Sequence, residues 1–393
     1  MIDEETEKRH GLDPLILTLV AGLAALGLLM VFSVSLSLKG GPVYYLRTQA
    51  EYMLGGVALM LAVSFGNLRR LNDWRVVYAM LGVVFVLLLL VFKAPFAAPA
   101  NHAHRWLRLP LHMQPSEFAK GALLLFMAHH LAQAGDKIRS LVYGVLPMVG
   151  ITGLFAAVIA KEPDLGAATT IAFLLLVMLF IGGARKRLLA AFFALSVPPV
   201  AYLIIATPWR LKRLLGFLNP AADTLGVNWQ SWQAQIAIGR GGLTGVGFGN
   251  GWQKLNYVPE MHTDFILANL GEELGLVGLL AVFLLFFALV WRSIRLTMKA
   301  EEPFLRLCGV GASALLGVQI VVNAGVVMSL LPNKGLAMPF FSYGGSNTLL
   351  NFFLTGVILA VARTRREEDS VQRKVLHVLP RRTLADAAGE PTC

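Results

Sequence analysis

Charged residues are scarce in this 393-residue chain. Only 15 % are Asp, Glu, Lys or Arg, against 56 % hydrophobic, whereas a soluble globular domain is about 25 % charged. So few charges cannot coat a water-facing surface, which excludes an ordinary soluble domain. Cysteine is nearly absent. Cys308 lies in an apolar stretch and Cys393 ends the sequence, so no disulfide framework is available. The glycines from Gly239 to Gly251 fit neither G-x-G-x-x-G nor G-x-x-x-x-G-K-[ST], which removes the usual grounds for a nucleotide site. No segment repeats with a period of about 20 to 50 residues, and the internal two-fold likeness of many transporters is missing. Acidic side chains are outnumbered 23 to 34, for a net charge of +11. In a membrane chain such a surplus belongs to loops beside anionic headgroups, not to a nucleic-acid surface.

Apolar runs are what the sequence has in abundance. Mean hydropathy is +0.65, and runs lie near 14–36, 49–66, 74–93, 115–134, 143–160, 165–183, 187–206, 265–291, 305–330 and 338–362. Each is close to the roughly 20 residues that cross about 30 Å of hydrocarbon. The expected fold is therefore all-α, an integral membrane protein of about ten transmembrane helices. Lys8 and Arg9 precede the first run, but its core is long and no small-x-small cleavage site follows, so it reads as a retained span. With the N-terminus cytoplasmic, Arg69, Arg70, Arg75, Arg185, Lys186, Arg187, Arg292, Arg295 and Arg306 fall inside, and the short outer links hold fewer cations. That asymmetry places both termini in the cytoplasm. Residues 1–13 then form a cytoplasmic start, 14–362 a polytopic domain, and 363–393 a charged, mostly disordered cytoplasmic tail. The one long hydrophilic connection, 207–264 between helices seven and eight, faces outward.

Ionisable residues inside such runs cost about 2.5 to 3.5 kcal/mol each at the bilayer centre. They cluster at Glu117 with Lys120, at Lys161, Glu162 and Asp164, at Asp264 with Glu272 and Glu273, and at Lys334. Glu117 and Lys120 follow Pro115 and fall three apart on one helix face, where they form a buried ion pair or mark a functional one. "AKEPDLGAAT" interrupts two apolar segments with Pro163 and Gly166, as a tight outer turn or as a broken helix lining a cavity. Asp264 stands where the outer loop enters a helix, either capping it or facing the boundary with water. Glu272 follows eight residues on, about 12 Å along a continuous helix. Carboxylates in that order suggest a polar cleft opening outward, or an ion path. Trp209, Trp229, Trp232 and Trp252 suit the headgroup zone, and Arg210, Lys212 and Arg213 suit phosphate or ordinary snorkelling. His102, His104 and His112 lack partners at zinc-site spacing and read as surface residues.

The segments "RWLRLPLHMQPSEFAK", "EPDLGAA", "QSWQAQIAIGRGGLTGVGFG", "QKLNYVPEMHTDFILANLGEELGLVG" and "NAGVVMSLLPNKGLAMPFFSYGGS" occur in that order. They resemble the successive signatures of the SEDS family (shape, elongation, division and sporulation), nearer its division branch than its elongation branch. The resemblance implies a ten-helix fold and an inverting peptidoglycan glycosyltransferase that polymerises lipid II, an undecaprenyl-pyrophosphate-linked disaccharide peptide. It implies a class B penicillin-binding protein and other divisome membrane proteins as partners, no nucleic acid, and residence in the bacterial cytoplasmic membrane at the septum. Carried over motif by motif, Asp264 of "HTDF" is the essential carboxylate. Glu117 and Lys120 match the family's paired charges, and Asp164 its acidic residue in "EPDLG". Arg210, Arg213, Gln233, Lys334, Ser342 and Tyr343 occupy other matching positions, while Arg240, Gly251 and Asn347 stand where serine is common. Such a transfer needs a base at the acceptor hydroxyl and positive charge for the departing pyrophosphate. Asp264 is the expected base. Arg210, Arg213 or Lys334 supply the counter-charge, with a divalent cation, Mg²⁺ or Mn²⁺, as the expected helper. A lipid II flippase using the same cleft, and a non-catalytic divisome scaffold, are the competing readings.

Overall fold

A computed structural model describes residues 11–93, 97–100, 103–108, 112–219, 223–224, 226, 228–255 and 257–378. His102 and the tail from 379 to 393 lie outside them. Helices dominate the described residues, as composition demands. α1 (Pro14–Ser35), α2 (Gly41–Phe65) and α3 (Trp74–Leu90) lead into a small hairpin sheet of β1 (Ala97–Ala100), β2 (Ala103–Arg108) and β3 (His112–Met113). There follow α4 (Pro115–Ala134), α5 (Leu146–Lys161), α6 (Leu165–Ile181) and α7 (Lys186–Ile205). The long connection carries α8 (Pro208–Leu218) and α9 (Trp229–Gly241). α10 (Ile266–Thr297), α11 (Pro303–Val327) and α12 (Gly345–Val378) complete the body.

Each of the ten apolar runs contains the core of one helix. The differences are at the ends. α2 starts at Gly41, eight residues before its apolar run, and α12 starts only at Gly345 because residues 328–344 take an irregular path. α12 also continues to Val378, well past the expected boundary at 363. The antiparallel sheet, with Leu107 opposite both Ala97 and Met113, went unanticipated because its strands are short and lack alternation.

α4 is buried almost end to end, from Pro115 to Leu131, and packs between α3, α6, α11 and α12. α12 lies along α2, and α1 lies along α10. Among its described side chains α7 has none buried, and it stands at the periphery.

Two polar clasps stand at the two ends of α1. Asp13 caps α1, accepting from Ile16 N at 3.2 Å, and its other oxygen accepts from Arg292 at 2.8 Å and Arg366 at 2.6 Å. At the other end of α1, Ser33 Oγ donates to Glu273 Oε1 at 2.5 Å, and Lys254 Nζ donates to the same oxygen at 2.8 Å. Twenty residues from Asp13 to Ser33 rise about 30 Å at 1.5 Å each, which matches the hydrocarbon thickness. The start of α1 and the charged part of α12 therefore share one membrane face. Ser33 and Glu273 mark the opposite one.

α10 is broken at Gly275, whose φ of +67° and ψ of −165° suit only glycine. A Cβ there would lie 2.4 Å from Gly245 N. The 22 residues beyond it suffice to cross the bilayer, so the preceding segment, 266–274, belongs to the opposite face rather than to the span. Glu272 and Glu273 accordingly sit at the membrane boundary.

Candidate active site

A cleft opens on the face opposite Asp13, walled by the α5–α6 link, α8 and residues 332–335. About 730 Å³ of empty space lies within it, open to solvent. Asp164 forms its floor as the N-cap of α6. One carboxylate oxygen accepts from Ala167 N at 3.0 Å, and the other from Gln114 Nε2 at 2.9 Å and Ser116 Oγ at 3.2 Å. Arg105, carried by β2, straps the sheet to this link by donating to Pro163 O at 2.5 Å and Glu162 O at 3.3 Å. Pro208 opens α8 and sets Arg210 and Arg213 one turn apart, their guanidiniums 5.2 and 5.3 Å from the Trp209 ring. Arg210 also donates to Ala160 O at 3.2 Å. Lys334 reaches over the opposite wall to Thr169 Oγ1 at 3.0 Å. Four cations thus ring the space, while Leu165, Ile204, Trp209 and Leu214 give it an apolar side.

Asp264 stands at the edge of this cleft, against Gly335. A Cβ on Gly335 would come within 2.8 Å of Asp264 Oδ2, so the glycine is what leaves the carboxylate room. Its backbone is held on both sides: Asp264 N donates to Glu260 O at 3.1 Å, and Asn323 Nδ2 donates to Asp264 O at 2.9 Å. Asn323 also donates to Leu336 O at 2.5 Å, tying the start of α10 to the cleft wall. The side chain caps nothing. The N-cap of α10 is Phe265, without a side-chain bond, and Thr263 Oγ1 turns back to Glu260 O. Among the described residues the Asp264 carboxylate accepts no hydrogen bond. Burial foremost, then Glu260 and Asp164, push its pKa up to about 7, against the pull of Arg105 and Arg213. Lys334 is held below the usual lysine range by burial, so its ammonium is poorly solvated.

Of the residues singled out from the sequence, Asp164, Arg210, Arg213 and Lys334 line the cleft, with Asp264 at its edge. The others lie elsewhere. Glu117 and Lys120 are interior: Lys120 Nζ donates to Glu117 Oε1 at 2.6 Å, and Asn347 Nδ2 donates to the second oxygen at 3.2 Å. Asn347 in turn reaches Gln319, and Asn351 reaches Asn347. Gln233 is buried on α9. Ser342 Oγ accepts from Met338 N at 2.8 Å, a local structural bond. Tyr343 packs edge-on to Tyr45 at 5.1 Å, and its backbone N donates to His262 O.

Glu272 and Glu273 do not back Asp264 within a cleft, as their order in sequence suggests. Glu272 accepts from Trp252 N at 2.9 Å and Gln253 N at 3.1 Å, and Glu273 is taken by Ser33 and Lys254. Both side chains therefore face the 249–254 turn. One residue of the site escaped sequence reasoning: Arg105 was visible only as a cation beside Trp106 in an outer link. Glu162, which the sequence grouped with Lys161 and Asp164, is fully buried beside the cleft with neither oxygen bonded among the described residues, and burial, then Asp164, raises its pKa to about 8 against Arg105.

A family model of cell cycle proteins, that of FtsW, RodA and SpoVE, matches residues 13–367. The probable peptidoglycan glycosyltransferase FtsW of Trichlorobacter lovleyi is 38 % identical over 355 residues, covering 89 % of this chain and 93 % of that protein. The protein of the same name in Coxiella burnetii is 37 % identical over 359 residues, covering 89 % and 96 %. Among solved structures, a chain from a study of polymerization and crosslinking by a peptidoglycan synthase complex superposes with a TM-score of 0.74 at 30 % identity, covering 90 % of this chain and 98 % of that one. The rod shape determining protein RodA of Thermus thermophilus superposes with a TM-score of 0.64 at 27 % identity, with the same coverage.

Proposed function

The chain belongs to the FtsW, RodA and SpoVE family of cell cycle proteins, and from that membership we propose that it is a peptidoglycan glycosyltransferase that polymerises lipid II for the division septum. In this reading the chain lies in the bacterial cytoplasmic membrane with both termini cytoplasmic, and the cleft faces outward. A class B penicillin-binding protein crosslinks the strands beside it. The basic loops on the Asp13 face support that orientation. The names of the relatives support the reaction, and the peptidoglycan synthase complex supports the partner.

One observation carries the chemistry: an uncapped, desolvated carboxylate at the edge of a cleft ringed by four cations. A hydroxyl attacking a sugar carbon must lose its proton as the new bond forms, and Asp264 is placed to take it. A pKa of about 7 suits a base working near neutrality. The lipid-linked pyrophosphate departs with the electrons of the broken bond. Arg105, Arg210, Arg213 and Lys334 meet that charge, and guanidinium groups match phosphate oxygens in pairs. The apolar wall of Leu165, Ile204 and Leu214 suits the beginning of a polyprenyl tail.

The proposal includes a divalent cation as helper, yet the residues do not build a cage for it. Among the described residues no three His, Cys, Asp or Glu side chains converge, and Asp164 uses both oxygens in protein hydrogen bonds. The cation is therefore assigned to the pyrophosphate itself, and no step here depends on it. The test is polymerisation of lipid II by the purified chain, with and without its partner, Mg²⁺, Mn²⁺ or a chelator. Glycan chains from the native protein and none from a folded Asp264→Asn variant are expected. Translocation of lipid II without chain growth would replace this reading by a flippase, and full septal function of the Asp264→Asn variant would replace it by a scaffold.

A further inference from the structure

We propose that the glycine-rich turn from Leu243 to Leu255 is a membrane-inserted collar, seated at the headgroup boundary of the leaflet on the cleft side. Its height is fixed by the clasp at the end of α1. Lys254 Nζ donates to Glu273 Oε1 at 2.8 Å, to Ser33 Oγ at 3.0 Å and to Gly249 O at 2.7 Å. Val246 N and Gly247 N donate to Glu272 O and Glu273 O at 3.0 and 3.1 Å. Ser33 lies one hydrocarbon thickness from Asp13, so the turn sits at the edge of the apolar slab.

Its outward face continues the exposed apolar face of the spanning part of α10. Leu276 N and Val277 N donate to Gly242 O and Leu243 O at 2.9 and 3.1 Å, which joins the turn to the first residues of the spanning part of α10. Val277, Leu280, Leu284 and Phe287 follow helical spacing and are 59 to 67 % exposed, an apolar stripe of the kind a spanning helix turns to hydrocarbon. Leu243, at 69 %, extends that stripe, and Phe248, Trp252 and Leu255 extend it further along the turn. Facing water, this would be an apolar patch of the kind soluble surfaces avoid.

The chemistry agrees with an interface rather than a protein groove. From Gly239 to Tyr257 there is no acidic residue at all. Arg240 lies 4.4 Å from the Trp252 ring, a pairing that lets an indole sit among acyl carbons while a cation meets phosphates. The occupant is thus the outer edge of a phospholipid leaflet. The collar would hold segment 266–274, and Asp264 just before it, at a set height above the membrane.

The test uses the full chain with Cys393→Ser, leaving the buried Cys308, and a nitroxide on Phe248→Cys or Trp252→Cys. Each protein is reconstituted alone in phosphatidylcholine vesicles containing phosphatidylglycerol, after its melting temperature has been matched to the parent. The ratio of collision rates with oxygen and with a polar nickel chelate is expected to be severalfold higher at 248 and 252 than at Glu260→Cys, which lies near the cleft on the solvent side. Equal ratios at the three positions would overturn the proposal. So would labels shielded from both reagents, because they would mean a covering by protein.

Discussion

Two groups of ionisable side chains lie in one helical body, the interior pair of Glu117 with Lys120 and the cleft around Asp264. In the first, the ammonium has its carboxylate at 2.6 Å and Asn347 takes the second oxygen. In the second, Asp264 faces several cations at a distance and accepts no hydrogen bond among the described residues. Asp164 lies between these extremes, lining the cleft yet using both oxygens in capping and in bonds to Gln114 and Ser116. The matched pair is neutralised within α4 and tied to α12 through Asn347. A charge left without a close partner is available to a substrate, and its cost is borne by the rest of the fold.

Asp264→Asn should have the largest effect. It keeps the shape beside Gly335 and removes the base, so lipid II polymerisation should fall by about 10²- to 10⁴-fold. Its melting temperature should not fall, since no hydrogen bond is lost. A loss of both activity and stability would put Asp264 in the structural group. Lys120→Met inverts that pattern. It leaves Glu117 buried with one weak partner, at a cost of about 3–5 kcal/mol, visible as a large drop in melting temperature. Adding Glu117→Gln should recover much of it. If Lys120→Met melted like the native protein while losing activity, the interior pair would belong to the reaction.

Arg213→Ala should lie lower still, at about 10- to 100-fold in rate, because Arg105, Arg210 and Lys334 remain around the leaving group. Arg213→Lys should recover only part of this, since an ammonium cannot pair two phosphate oxygens as a guanidinium does.

The pH dependence sharpens the comparison further. Burial raises Asp264 from 3.8 to about 7, so the carboxylate fraction, and with it the rate, should rise with pH through about 7 and then level. The contribution of this group to folding runs the other way. The folded state keeps the proton to higher pH than the unfolded chain, so stability from this group declines between 3.8 and about 7 as pH rises. Asp264→Asn should remove this stability limb. A native rate flat between pH 6 and 8 would argue against Asp264 as base.

Much of the fold could be read from hydrophobic runs because a bilayer admits few alternatives: each apolar run contains a helix, and charges interrupt the runs where helices end. The cleft was partly readable too. Asp264, Asp164, Arg210, Arg213 and Lys334 are separated by up to 170 residues, yet all sit at ends of apolar runs on one predicted face. What could not be read was where α10 begins and which partners its carboxylates take. Eight residues separate Asp264 from Glu272, which in an unbroken helix implies a common cleft. Asp264, however, precedes the helix, which begins at Ile266, and Glu272 is held by the backbone of Trp252 and Gln253, so the two carboxylates serve different neighbours. Nor could sequence distinguish a capping aspartate from a free one. Asp164 and Asp264 both precede a helix, and only the partners supplied by α4 and its lead-in, Gln114 and Ser116, make one of them structural. Arg105 was hidden because its contacts are to backbone carbonyls of the α5–α6 link, which leave no pattern in residue types.

The smallest effect belongs to Arg240. Its guanidinium is partly exposed, 3.7 Å from Glu272 and over the Trp252 ring. Glu272 is already satisfied by two backbone donors, so losing the cation does not leave a buried charge unpaired. Exposed ion pairs and cation–π contacts contribute about 0.5–1 kcal/mol each at most. Arg240→Ser should therefore lower the melting temperature only slightly and leave the polymerisation rate unchanged. A large loss of activity from this substitution would mean that the turn at 249–254 transmits its position to Asp264 through segment 266–274, and the division between structural and reactive carboxylates would have to be redrawn along that segment.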